Sequence, residues 1–267
     1  MKKDKVIIVD PFSTGALLAP ELSKKGLTCY SVLSSPHIPS RFTDSYISAD
    51  FVDKQLYSPD EIKKQLNTEQ VVAVIPGAET GVYCADLLAA HYQVAANNHL
   101  TTDWRRQKGA MQNRLAQLGL NSIASKKISQ FDSNLDQLDS QTGYVIKPNN
   151  SCLTDGVFFF ENKPQVTEWI SQIDWQQTNI VGEQNQFYLV QEKLEGEEFV
   201  VDLVVNQHDI KVCSLCKYRK GLHNNSHFVY ECLDVLDISD QRYHAIILTI
   251  PSYERGMARL LRYDLRY

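Results

Sequence analysis

The hydrophobic pattern of this chain changes character near Ser122, and that change decides its architecture. Over the first hundred residues, short uninterrupted apolar runs alternate with helical patterns. Val6-Ile7-Ile8-Val9 and Val71 to Ile75 have the continuous hydrophobicity of strands buried on both faces, as in a parallel sheet, and Cys29 to Leu33 reads as another strand. Helical segments lie between them. Ala16 to Lys25 places Leu18 and Leu22 on one side and stops at Gly26. Ser58-Pro59-Asp60-Glu61 opens another: Ser58 caps, Pro59 takes the first position and Glu61 completes a capping box. Thr80 opens a third, in which Cys84, Leu87, Leu88 and His91 recur at i, i+3, i+4 and i+7. Residues 1–100 are thus predicted to form a doubly wound parallel β/α lobe, Rossmann-like in its layering.

Residues 101–121 read as a linker helix. Thr102-Asp103 can cap it, it runs through Lys108, Met111, Leu115 and Leu118, and Gly119 ends it. Beyond Ser122, strand patterns dominate: Ser125 to Ile128, Tyr144 to Lys147, Val157 to Phe160, Tyr188 to Leu194, Phe199 to Val205 and Ile210 to Arg219. One amphipathic helix interrupts them, with Val166, Trp169, Ile170 and Ile173 as its stripe. Residues 122–250 therefore read as an α+β lobe with a mostly antiparallel sheet. The chain's 267 residues are enough for two such lobes, each with its own core. Residues 251–267 fit neither lobe. Pro251 stops a helix that Asp240 can cap, and four arginines then face only Glu254 and Asp264. This atypical basic tail reads like the end that a truncation or frameshift leaves.

Charge and composition exclude several classes. A net charge of −5 argues against a general nucleic-acid binder. No apolar run approaches the ~20 residues of a membrane span. The charged start, Met1-Lys2-Lys3-Asp4-Lys5, leads directly into a four-residue strand and not into a secretory apolar core. The expectation is a cytoplasmic protein with small-molecule partners, no nucleic acid and no membrane, and with room for a homo-oligomer. Of the six cysteines only Cys213 and Cys216 have suggestive spacing. They fall within one strand, where residues three apart point to opposite faces, so structural thiols are expected.

The chemistry concentrates in four segments. In Tyr144-Val145-Ile146-Lys147-Pro148-Asn149-Asn150-Ser151-Cys152-Leu153-Thr154-Asp155-Gly156-Val157, a lysine closes a strand, a small-and-polar loop follows, and a second strand begins. Such a loop can lay backbone N–H groups, the Ser151 and Thr154 hydroxyls and one fixed charge over a polyphosphate, with Gly156 permitting close approach. The alternative for Lys147 is a strand-end lysine reaching for water. No G-x-x-x-x-G-K-[ST] and no G-x-G-x-x-G occurs, so a nucleotide site here is built from hairpins. Lys108 sits in the basic stretch of the linker helix, where a solvated face is the alternative. In Gln191-Glu192-Lys193-Leu194-Glu195-Gly196-Glu197-Glu198, an apolar strand enters an acidic turn that can offer backbone groups to an adenine edge, with Glu198 accepting from ribose hydroxyls. A plain charged turn is the alternative. Gly77-Ala78-Glu79-Thr80-Gly81 follows a strand of the first lobe, where α/β lobes bind ligands. Glu79 can recognise an ammonium group or serve the helix start.

Together these segments resemble the ATP-grasp superfamily, and more narrowly its branch of L-amino-acid (dipeptide-forming) and related carboxylate–amine ligases. The segments that carry the resemblance are Val9-Asp10-Pro11-Phe12-Ser13-Thr14-Gly15, the Gly77 to Gly81 loop, the Lys147 to Val157 loop, Gln191-Glu192 through Asp202, Lys217 to Lys220 and Phe228 to Tyr230, in that order over residues 5 to 240. The resemblance implies a pre-ATP-grasp lobe followed by an ATP-grasp fold that is incomplete in this chain. It implies ATP contacts from Lys108 and Lys147, closure of Ser151 to Gly156, including Thr154, over the phosphates, and an adenine edge at Gln191, Glu192 and Leu194. Glu198 would hold the ribose, and Lys217 or Lys220 would reach the γ-phosphate. Thr14, Gly15 and Glu79 would face the substrate. It implies an enzyme that activates a carboxylate as an acyl phosphate for attack by an amine, and a non-catalytic nucleotide-binding module is the alternative. Two departures stand out. Leu153 replaces a small loop residue, and the late acidic residue and Glu-x-Asn pair that hold Mg²⁺ in the family have no counterpart in this sequence.

Overall fold

The computed structural model describes residues 3–152, 154–206, 209–223 and 226–247. Leu153 and the tail at 251–267, with Glu254 and Asp264, lie outside the described residues. The chain divides into two compact units, Met1–Thr102 and Asp103–Tyr267.

In the first unit, β1 (Lys5–Val9), α1 (Leu18–Lys24), β2 (Thr28–Val32), β3 (Leu56–Tyr57), α2 (Pro59–Gln65), β4 (Val71–Pro76) and α3 (Val82–Tyr92) alternate. The strands form one parallel sheet in the order β3-β2-β1-β4. The apolar run of β1 explains why both faces are covered. Ile7 and Val9 point into a core with Ile62 of α2 and Ala85, Leu88 and Tyr92 of α3. Val6 and Ile8, one residue out of step, point into a second core with Ala19 and the partly buried Leu22. The capping box of α2 is present: Ser58 Oγ accepts the Glu61 N–H at 3.4 Å and Glu61 accepts the Ser58 N–H at 2.7 Å. The two-residue strand β3 is an addition to the sequence reading.

The face of α3 differs from the predicted stripe. Leu87 is 60% exposed and His91 is exposed, while Ala85, Leu88, Ala89 and Tyr92 are buried. Both stripes have helical spacing. The small alanines let the helix backbone approach the sheet, and Tyr92 anchors that face by donating to the Ile62 carbonyl at 2.9 Å.

The linker helix is broken. α4 (Thr102–Arg106) ends before Gln107, which is extended at φ −105°, ψ 108°, and α5 (Lys108–Gln117) starts afresh. Lys108 is therefore the first residue of a helix, not a mid-helix position. The second unit continues with β5 (Ser125–Ile128), β6 (Tyr144–Pro148), β7 (Phe158–Phe160), α6 (Lys163–Ser171), β8 (Tyr188–Glu192), β9 (Glu198–Asn206), β10 (Asp209–His223) and β11 (Ser226–Val235). The first sheet, β5-β8-β6-β7, and the second, β11-β10-β9, are both antiparallel. Tyr144, Ile146, Tyr188 and Val190 turn one face of the first sheet onto Val166 of α6, with Trp169, Ile170 and Ile173 partly buried beside it. In the second sheet Phe199, Val201 and Leu215 form a smaller core. No helix among the described residues is long and apolar enough to cross a membrane.

Candidate functional site

The register of β6 and β8 decides which side chains meet. Val145 lies opposite Gln191, and Lys147 opposite Leu189. By alternation these four share the sheet face opposite the Tyr144–Val190 core. The start of α5 lies over that face, since a Cβ on Gly109 would stand 3.3 Å from Leu189 Cδ1 and 3.2 Å from Asn149 Oδ1. Lys108 Nζ donates to the Ser151 carbonyl, so the first turn of α5 is tied to the loop that follows Lys147.

That loop is held by its own side chains. Ser151 is buried, and its hydroxyl donates to Asp155 Oδ2 at 2.7 Å. The same carboxylate oxygen accepts the Ile180 N–H at 2.9 Å. Asn150 donates to Glu183, fixing the loop a second time to the segment around 180. Gly156 turns the chain back at φ +64°, a conformation that disfavours side chains. Thr154 is exposed. The role of Asp155 was not read from the sequence; its signal was a carboxylate inside an otherwise neutral small-residue loop.

Gln191 is 2% exposed, and its Nε2 has no hydrogen-bond partner among the described residues. A buried amide donor without an acceptor costs about 1–3 kcal/mol, so this position is built to meet one. Glu192 accepts the Ala124 N–H at 3.2 Å, and Leu194 is 53% exposed at the start of the turn. Glu198, the first residue of β9, forms an ion pair with Lys220, whose ammonium stands 5.2 Å over the Tyr230 ring. Lys217 pairs with Glu197 and lies 5.8 Å over Phe199. The structure thus joins Lys108 to Ser151 and Glu198 to Lys220, and puts Lys147 and Gln191 on one face.

In the first unit, Asp10 gathers the loops that follow three strands. It is buried, has φ +53°, and accepts the Ser34 N–H at 2.8 Å, the Ser34 hydroxyl at 2.6 Å and the Thr80 hydroxyl. A Cβ on Gly15 would stand 2.1 Å from the Gly77 carbonyl oxygen, so the turns carrying Thr14, Gly15 and Glu79 approach backbone to backbone. Asp10 and Gly77 are organisers that the sequence reading quoted but gave no role. Cys29 and Cys84 behave as structural thiols. Burial, with the charge of Asp10 second, pushes Cys84 up to about 11, and burial raises Cys29. Cys213 is exposed and Cys216 buried, on opposite faces of β10.

Residues 110–240 match the family model described as ATP-grasp domain. That stretch is similar to an ATP-grasp domain. It is 29% identical over 229 residues to dapdiamide A synthase of Enterobacter agglomerans, an alignment covering 83% of this chain and 54% of that relative. The chain thus spans about half the length of the curated relative it matches. The fold is similar to that of an L-amino acid ligase from Bacillus licheniformis, with TM-score 0.65 and 14% identity over 96% of this chain and 61% of the other. It is also similar to D-alanine–D-alanine ligase from Bacillus anthracis complexed with ATP, with TM-score 0.62 and 11% identity over 98% and 84%.

Two features of the second unit bear on its ligands. The buried Gln191 amide, the Lys147 face and the Lys108–Ser151 contact suit a nucleotide. Magnesium does not fit in the same way: among the described residues no group of three or more His, Cys, Asp or Glu side chains stands together to hold a metal ion. A cleft of about 640 Å³ borders the start of α5 and is lined by Gln107, Gly109, Lys127, Asn149, Glu183 and Phe187 among others; Lys108, Lys147, Gln191 and Glu198 are not in its lining.

Proposed function

We propose that this chain supplies the ATP-binding part of an ATP-dependent carboxylate–amine ligase that joins amino acids or related small molecules. The observation that carries the reading is Gln191: a buried amide donor lacking a partner, on the same sheet face as Lys147. In this reading Gln191, Glu192 and Leu194 border the adenine and Glu198 holds the ribose. Lys108, Lys147 and the Ser151–Gly156 loop, Thr154 included, hold the phosphates, and Lys220 reaches the γ-phosphate. Thr14, Gly15 and Glu79 face the substrates, with Glu79 receiving an ammonium group. A cytoplasmic setting and the division into residues 1–100, 101–121 and 122–250 belong to the same proposal.

The chemistry has two displacements. A substrate carboxylate oxygen attacks the γ-phosphorus and ADP leaves, giving an acyl phosphate. The amine of the second substrate then attacks the acyl carbon, phosphate leaves, and the nitrogen gives up a proton. Fixed cations around the transferring phosphoryl group lower the barrier by stabilising its charge where it develops. Among the described residues no group of three or more His, Cys, Asp or Glu side chains stands ready to hold magnesium beside these steps.

Isothermal titration with ATP tests the reading. The wild-type chain is expected to bind, and Lys147→Ala to bind at least about tenfold more weakly, as loss of a charge-assisted phosphate contact implies. Equal affinity in the two proteins overturns the site. Binding without amino-acid-dependent release of phosphate leaves a nucleotide-binding module and removes the ligase.

A further inference from the structure

The helix α5 begins without a cap of its own. Its N-cap residue, Gln107, makes no side-chain cap bond, although the first N–H groups of any helix need acceptors. The acceptors come from Asn149, about forty residues away and immediately after β6. Its carbonyl accepts the Lys108 N–H at 3.0 Å, and its side-chain oxygen accepts the Gly109 N–H at 2.9 Å. Its amide donates to Gln107 Oε1, and its own N–H donates to the Phe187 carbonyl at 3.1 Å. One residue, 3% exposed, therefore binds three successive residues of the helix start and one residue beside β8.

The arrangement favours a glycine opposite. A Cβ at 109 would press on Asn149 Oδ1 and Leu189 Cδ1 at once. It also explains why the helix breaks where it does: Gln107 leaves helical geometry so that Lys108 and Gly109 can point their N–H groups at Asn149. The consequence reaches the loop. With its backbone pinned beside the end of β6, Lys108 extends its ammonium to the Ser151 carbonyl, at the start of the loop after Lys147.

We propose that Asn149 is a positioning residue for nucleotide binding: a tertiary helix cap that fixes Lys108 relative to Lys147. This deepens the nucleotide reading above and rests on it. Capping alone would make Asn149 a matter of stability. Positioning makes its effect pass through Lys108, and that is measurable.

The test is a double-mutant cycle on the full chain, read by titration with ATP. Lys108→Ala and Asn149→Ala are each expected to weaken ATP binding about tenfold, and the double variant to be no weaker than the worse single, because coupled neighbours are non-additive. If the two losses multiply to about a hundredfold, or if Asn149→Ala binds like wild type, the positioning role is wrong while the nucleotide site stands. If wild type binds no ATP, the functional reading itself fails and takes this proposal with it. Should Asn149→Ala not fold, Asn149→Asp enters the same cycle. It keeps the acceptor for the Gly109 N–H, lets the Gln107 amide turn to donate, and is expected to retain most of the affinity. If Asn149→Asp instead loses as much affinity as Lys108→Ala and the losses multiply, the proposal is equally overturned.

Discussion

Gly156 lies so close to Pro148 that a Cβ at 156 would stand 2.8 Å from Pro148 Cγ. The two residues bracket the phosphate-loop candidate, one closing β6 and the other turning the chain toward β7 at φ +64°. A side chain at 156 meets both a steric wall and an unfavourable backbone conformation. Gly156→Ala is expected to lower stability by about 1–2 kcal/mol, from the positive φ and the contact together, and to weaken ATP binding through the displaced loop. Denaturant unfolding and titration on the same sample check both. An unchanged midpoint would show that the turn relaxes freely.

Gln191 gives the opposite pairing of effects. Its Nε2 is buried without a partner, so a same-sized apolar side chain removes a desolvation cost. Gln191→Leu is expected to gain about 1 kcal/mol of stability while losing nucleotide affinity. Stability gained where function is lost marks a site built for a ligand. A variant that loses both would place Gln191 in a structural network.

The first unit was largely legible because its signals are local. Runs such as Val6 to Val9 declare two-sided burial, and Ser58 with Glu61 is a helix start written in four residues. What escaped depends on partners far along the chain. Between Thr102 and Gly119 only Gly109 weakens the helical pattern, and Gln107, where the break falls, is a good helix former; the acceptors that meet the new helix start come from Asn149, far along the chain. The α3 stripe was misplaced because a hydrophobicity reading weighs Leu87 above Ala85 and Ala89, while close packing against the sheet favours the alanines. The strand β11 went unread because Glu231 and Asp234 blur its alternation. In the site, the face shared by Lys147 and Gln191 follows from strand alternation once the register is known. The Asp155 bond to Ile180 and the Glu198–Lys220 pair do not.

Gly15 and Gly77 support a further prediction. A Cβ at Gly15 would stand 2.1 Å from a backbone oxygen, with no flexible side chain to yield. Gly15→Ala must therefore separate the turns after β1 and β4, and overpacking of this kind costs about 1–3 kcal/mol. The thermal midpoint should fall. Gly26→Ala is the converse case, since it meets nothing within 4 Å but has φ +76°, whereas Gly15 is not among the positive-φ glycines. An unchanged midpoint in Gly15→Ala would remove the steric argument.

The first unit should also be labile to alkali. Tyr92 is fully buried, and burial pushes its phenol up to about 12. Tyr57, donating to the Asp53 carboxylate, is likewise pushed up to about 12, by that hydrogen bond first and burial second. An unfolded chain releases these protons near pH 10. Stability from the neutral phenols is complete below pH 10 and is lost as pH climbs to about 12, at about 1.4 kcal/mol per pH unit for each tyrosine. Phenolate absorbance should therefore rise together with the loss of folded signal across that window. Tyr92→Phe removes one of these titrations. The Ile62 carbonyl keeps the Leu66 N–H at 3.0 Å, so the cost at neutral pH should be no more than about 1 kcal/mol. The alkaline midpoint should move up and the slope across the window should become shallower. A midpoint that stays put would mean that Tyr92 ionises in the folded protein, and that its burial does not set the alkaline limit.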